Sequence, residues 1–372
     1  MIPYIEVLKW NAAKTELNAF ALIEPSECWF EISYYNKGEF EIYAAATIKN
    51  LNALKKGNYV KIPHKPFIWG IKSLQYEFNS DGARMISAKG YEAAKDILAK
   101  RIIRDPLNLT GNLADGLERL LSGNLGTDAA AVRQISGIIW AWDDGLTGKT
   151  TDAQATRGNL WDYVSNLLKL YKFGAVSTLD NGKILYSTVN GMDKSDSVKF
   201  SQSFDNLISA TYYTSDEEKK TDCQIVSTFN EQETSGGTQR TVSHDYIAYY
   251  PADEAGASGI DRDEITLQSN LSTKVKNADG TETEVAPSSE DFVSMQQSEG
   301  AATLAEKQTV TEFNGEIDLV NSQYNFGEDF FIGDLVKIRD EYFGYEAVAR
   351  VIKFTIKQDA SGYGEEAEFG DD

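Results

Sequence analysis

The sequence predicts a mainly β protein with α+β parts: two similar small β-barrel domains, a mixed α/β domain and an inserted peripheral region. Three observations lead there. Runs of alternating apolar and polar residues, bounded by Gly, Asn and Asp turns, fill both ends of the chain, the period of strands with one buried face. Tyr (19) and Phe (17) are abundant, and rings pack well on a pleated surface. Finally, Gly57-Asn58-Tyr59-Val60-Lys61-Ile62 returns as Gly333-Asp334-Leu335-Val336-Lys337-Ile338, each followed by a second strand at similar spacing. Two unrelated hairpins with shared turn chemistry would give the same short pattern.

In chain order, Ile5–Leu8 alternates, and Cys28–Tyr35 and Phe40–Ala45 flank a turn at Asn36-Lys37-Gly38-Glu39. Residues 47–54 suit a short helix or turn. Trp69–Phe78 and Ala83–Gly90 pair across Asn79-Ser80-Asp81-Gly82. Tyr91–Ile103 has a helical stripe of Ala94, Ile97, Leu98 and Ile102, stopped by Asp105-Pro106. This makes 1–104 a first barrel with a trailing helix. Residues 105–195 form the mixed domain: a helix over Asn112–Ser122, a buried strand over Ile135–Trp142, a helix over about Arg157–Tyr171, and a hairpin turning at Asp180-Asn181-Gly182.

Residues 196–250 return to strands and, with 311–372, make the second barrel. Residues 251–310 are the insertion, poor in large apolar residues until Ser288-Ser289-Glu290 caps a helix. A strand near Phe313–Val320, the hairpin after Gly333 and an acidic tail close the chain.

Composition narrows the function. The formal charge is −21, from 36 basic and 57 acidic residues, which makes the chain a poor candidate for wrapping nucleic acid. Acidity aids solubility and repels a polyanion that has to slide past. Cys28 and Cys223 form no CxxC, which excludes a disulfide framework; free buried thiols are favoured over a single bridge. No signal peptide and no apolar run of about 18 residues are visible, so no membrane span is expected.

No chemical motif is complete. Gly145-Leu146-Thr147-Gly148-Lys149-Thr150 has Asp143 where a phosphate loop needs its first glycine. His64 and His244 lie near no second ligand, so neither metal nor His-based triad is expected. Trp140, Trp142, Asp143 and Asp144 are the nearest thing to a glycan site. Adjacent acids on a strand point apart, however, and core tryptophans entering a polar turn explain them better. No catalytic, cofactor or metal residue is assigned. The residues singled out are the hairpin positions Gly57, Val60, Ile62, Gly333, Asp334, Val336 and Ile338.

Several stretches carry a family likeness: Ile86-Ser87-Ala88-Lys89-Gly90-Tyr91-Glu92 leading into Ile97–Ile103, Phe200–Leu207, and Ile332–Ile338 with Ala349-Arg350-Val351-Ile352. With these the chain resembles the hub proteins at the tip of phage tails, including the Gp37-like siphophage tail proteins and the N-terminal structural module of tail-associated lysins. The resemblance implies two tube-type barrels per subunit and a homotrimer whose six barrels adapt a six-fold tail to a three-fold tip. It also implies a distal tail ring protein above and a spike, fibre, receptor-binding or plug protein below. DNA would be only transient cargo in the channel, and the location would be the virion tail tip, after synthesis in the bacterial cytoplasm. The chain stops at Asp372, so no lysin region is expected on it. The rival expectation is a carbohydrate-active or glycan-binding β protein using Trp140–Asp144; a surface adhesin fits poorly without a signal peptide.

Overall fold

The structure is a computed structural model that describes residues 2, 4–235, 238–276, 281–317, 322–342 and 344–370. Its first part runs β1 (Ile5–Trp10), β2 (Leu17–Ile23), β3 (Glu27–Ser33), β4 (Glu39–Ala45), α1 (Ile48–Ala53), β5 (Tyr59–Lys61), β6 (Trp69–Phe78), β7 (Arg84–Glu92) and α2 (Ala93–Ala99). The middle holds α3 (Leu113–Leu125), β8 (Ile138–Ala141), α4 (Asp144–Thr147), α5 (Leu160–Leu170), β9 (Gly174–Asp180) and β10 (Lys183–Val189). Then come β11 (Lys199–Ser201), β12 (Leu207–Ser215), β13 (Asp222–Ser235), β14 (Thr238–Tyr250), β15 (Glu264–Gln268) and α6 (Glu290–Ala305). The chain closes with β16 (Val310–Ile317), β17 (Leu335–Asp340), β18 (Tyr345–Asp359) and β19 (Gly362–Gly370).

The mainly β expectation holds, with one correction of geometry. Among the described residues there are no two closed barrels. Both ends of the chain join one 13-stranded sheet ordered β12-β16-β19-β18-β3-β4-β7-β6-β5-β1-β2, with β17 on β18 and β11 on β17. The seam is β18 against β3, antiparallel from Lys353 opposite Ser33 to Gln358 opposite Cys28. Alternation dictates which face is buried: Cys28, Phe30 and Ile32 in β3, Phe40, Ile42 and Ala44 in β4, and Phe354 and Ile356 in β18 point into one shared core. An aromatic chain crosses the seam there. Trp69 packs on Phe30 and Phe67, Phe67 on Phe331 and Phe326, and Phe326 stacks on Phe354 at 3.8 Å between ring centres. Each large buried ring contributes about 1.5–3 kcal/mol.

A second core lies between α2, α3, α5 and the sheet β8-β10-β9. Asn112 and Asn159 cap α3 and α5 through side-chain acceptors, each inside the same Gly-Asn-Leu-x-Asp start, Gly111 to Asp115 and Gly158 to Asp162. This part docks on the first half through Ile68, whose amide donates to Ser177 O at 3.2 Å, and through Ala94, whose amide donates to Ser177 Oγ at 2.8 Å.

Other expectations shift. The helix after β7 ends at Ala99, and Ile102, expected on its apolar stripe, is exposed in a two-residue strand. Of the segment 196–250, β11 and β12 join the large sheet, whereas β13 and β14 pair with β15 in a sheet of their own, capped by α6. The expected strand near Phe313–Val320 is β16; positions 318–320 lie outside the described residues. The stretch read as an acidic tail contains β19, held between β18 and β16. No helix among the described residues is long and apolar enough to cross a membrane.

Candidate functional site: a duplicated strand module

The two hairpins singled out by sequence are built alike. Gly57 and Gly333 take φ of +88° and +92°, a conformation that side chains disfavour. The Gly57 amide donates to Ile71 O at 3.1 Å and the Ile71 amide donates to Asn58 O at 2.9 Å. The Gly333 amide donates to Val351 O at 2.8 Å and the Val351 amide donates to Asp334 O at 2.9 Å. The next residue bulges in both: β6 shifts register on β7 between Ile71 and Ser73, and β18 shifts on β19 between Val351 and Lys353. Opposite Ile71 stands Gly90, and opposite Val351 stands Phe369.

Val60, Ile62, Val336 and Ile338 all point into the shared core. Asn58 and Asp334 are buried and do the same work. Asn58 Nδ2 donates to Ala53 O at 2.8 Å, while Asp334 accepts from the Met192 and Phe331 amides at 2.7 and 2.8 Å. Asn58 thereby ties the end of α1 to the start of β5, and Asp334 ties both the preceding Phe331 and the remote Met192 to the start of β17. The match extends outward, because the order β3-β4-β7-β6-β5 is repeated as β12-β16-β19-β18-β17. The copies differ at the rim: β5 pairs antiparallel with β1, whereas β17 pairs parallel with β11.

Tyr34, which sequence reasoning left as the end of a strand, joins the copies. Its ring lies where a Cβ on Gly333 would come within 2.3 Å. Its hydroxyl donates towards Val189 O at 2.8 Å, with Lys172 O and Asn190 O at 3.0 Å. Burial pushes this phenol's pKa up, against the pull of Arg350. Arg350 stacks over the ring and donates to Gly333 O at 2.6 Å and Asn190 O at 3.0 Å. No local pattern signals this junction; the neighbouring pairs Tyr34-Tyr35 and Ala349-Arg350 are its only trace in the sequence.

The rival aromatic cluster is arranged for structure. Trp140 and Trp142 Nε1 both donate to Glu118 Oε2, at 2.6 and 2.9 Å. Asp143 caps α4, accepting from the Gly145 amide at 2.8 Å. Among the described residues no group of His, Cys, Asp and Glu is placed to hold a metal ion. Cys28 and Cys223 are free and buried.

The family described as "Siphovirus ReqiPepy6 Gp37-like protein" matches residues 25–371. The chain belongs to this Gp37-like family. It is therefore a phage or prophage tail protein, a component of a virion tail. No curated protein matches it in sequence. Two solved structures share the fold of the Gp37-like chain. The tail protein from Neisseria meningitidis MC58 aligns with a TM-score of 0.54 at 12% identity, over 99% of this chain and 96% of that one. The prophage MuSo2 43 kDa tail protein from Shewanella oneidensis aligns with 0.53 at 14% identity, over 98% of each.

Proposed function

We propose that this Gp37-like protein is the structural hub of the tail tip or baseplate, a homotrimeric ring that adapts a six-fold tail to a three-fold tip and continues the DNA channel. The carrying observation is the duplication: two modules with the same strand order, the same glycine-led start and the same bulge stand edge to edge in one chain. Three chains then present six similar modules. The first module comprises residues up to β7, and the second comprises 196–215 with 310–370. Residues 216–309 and the α/β part lie outward. Gly57, Val60, Ile62, Gly333, Asp334, Val336 and Ile338 serve as hub hairpin positions, with no catalytic role.

The sheet face opposite the core supports a bore for DNA. It carries Glu31, Glu41, Glu366 and Glu368, interleaved with Lys89, Lys353 and Lys357, which pair with Glu41, Glu368 and Glu366. A polar wall with surplus carboxylate keeps a polyanion from sticking. The partners are a distal tail ring protein above and a spike, fibre, receptor-binding or plug protein below.

Light scattering on the purified chain, and on its mixture with the tail ring protein, tests this reading. A mass of three chains is expected. A monomer in both conditions overturns it.

A further inference from the structure

The repeat predicts what covers two bare strand edges. Within the chain, Lys353–Gln358 of β18 pairs with β3. By the shared bulge, Lys353–Gln358 corresponds to Ser73–Phe78 of β6. No strand among the described residues pairs with the outer edge of that half of β6, and Tyr76 and Phe78 are 61% and 69% exposed. The counterpart of β3 is β12. Phe40 and Phe313 occupy matching places opposite Gly90 and Phe369, and they face Phe30 and Tyr212 respectively. β12 ends the sheet, and Tyr212 and Tyr213 are 40% and 48% exposed. Neither stretch carries the Lys or Pro by which free edges are blunted.

Resting on the ring reading, we propose that Ser73–Phe78 of one copy adds antiparallel to β12 of the next copy. The register copies the internal seam: Ser73 opposite the partner's Ser215, Gln75 opposite the partner's Tyr213, Tyr76 opposite the partner's Tyr212, and Glu77 opposite the partner's Thr211. The contact is head-to-tail, which closes into a ring of three when successive copies are related by a third of a turn, and the closed ring leaves no strand edge between modules. The occupant is a second copy because the same two edges, in their other versions, already meet inside the chain.

Cysteine pairs test it. Directly opposed side chains have Cβ atoms about 4.5–5.5 Å apart, close enough for a disulfide after small shifts. The variants are Gln75→Cys with Tyr213→Cys, and Tyr76→Cys with Tyr212→Cys, so that both kinds of strand pair are sampled. Gln75→Cys with Thr211→Cys is two residues out of register. Native thiols do not compete, since burial pushes Cys28 up to about 12 and Cys223 up to about 11. After mild oxidation of the purified chain and of assembled tails, both in-register variants should run as three linked chains on a non-reducing denaturing gel, and the shifted variant as one. A trimer by light scattering with no in-register link, or with the shifted pair linking best, overturns the strand pairing and leaves the hub reading standing. A monomer throughout overturns both.

Discussion

The two modules share a strand frame and differ in what fills its first turn. In the first, residues 34–38 carry the chain from β3 to β4; in the second, residues 216–309 separate β12 from β16. The insertion brings its own sheet and α6, yet β12 and β16 still pair from Leu207 opposite Ile317 to Ser215 opposite Val310. A frame whose register is set by a buried face tolerates a long loop, because loop length adds only slowly to the entropy of closure. The short turn is instead wired from below. Glu92 accepts from the Gly38 amide at 2.8 Å and from Lys95 at 2.7 Å, and Lys95 also donates to Ser33 O and to Asn36 O, the latter at 2.9 Å.

That wiring offers the largest break. Glu92 and Lys95 are both buried; burial pushes the carboxyl up and the ammonium down, and each partner opposes the other's shift. Lys95→Met leaves a buried carboxylate and two carbonyls without their donor. The expected loss is about 3–5 kcal/mol, read by urea denaturation. Hydrogen exchange should place the first opening at β3 and β4, with β12 and β16 protected as in the native chain. Equal opening of both modules would show that the seam, and not the turn, limits stability.

The glycine pair gives the next largest contrast. Both positions need positive φ, so alanine costs about 1–2 kcal/mol at either. A Cβ at Gly57 meets nothing within 4 Å, whereas one at Gly333 meets Tyr34 at 2.3 Å. Tyr34 is held by its hydroxyl and by Arg350, so it has little room to yield. Gly333→Ala should therefore cost about 1–3 kcal/mol more than Gly57→Ala in paired denaturation curves. Equal costs would mean that the Tyr34 junction is soft.

How much of this was legible in the sequence depends on how far each signal reaches. Strands with one buried face announce themselves locally, so β3, β4, β6 and β18 could be read from alternation. The duplicated hairpin was visible at 57–62 and 333–338 because turn and core residues recur together. β19 was not visible. Glu365, Glu366 and Glu368 look like a solvated tail until Lys357 and Lys353 of β18 answer Glu366 and Glu368 and Phe369 enters the core. Such neutralisation is made across strands, where no local pattern records it. The bulges after Ile71 and Val351 and the Tyr34–Arg350 junction are long-range for the same reason. β13 and β14 alternate like the rest, and only their partners β15 and α6 set them apart from the main sheet.

The smallest expected effect separates the two seams. Glu31 sits in β3 opposite Thr355 of β18; its counterpart in β12 is Tyr213. Burial pushes the Glu31 carboxyl above its ordinary value, Lys353 pulls it back, and Glu39, Glu92 and Glu368 push it further up. A carboxyl raised in the folded state holds its proton better there than in the unfolded chain. Its stabilising share is full below the unfolded value, about 4.3, and is lost as pH rises through the folded one. At neutral pH Glu31 therefore destabilises the internal seam, and Glu31→Gln should stabilise the chain there. Partial exposure and screening keep the gain below about 1 kcal/mol. Thermal melts of both proteins from pH 4 to 8 should converge at the acid end and separate towards neutrality. A constant gap across that range would assign the effect to packing. The corresponding position in β12 carries a tyrosine in place of a carboxylate, so in the ring the seam between copies should lack this pH dependence.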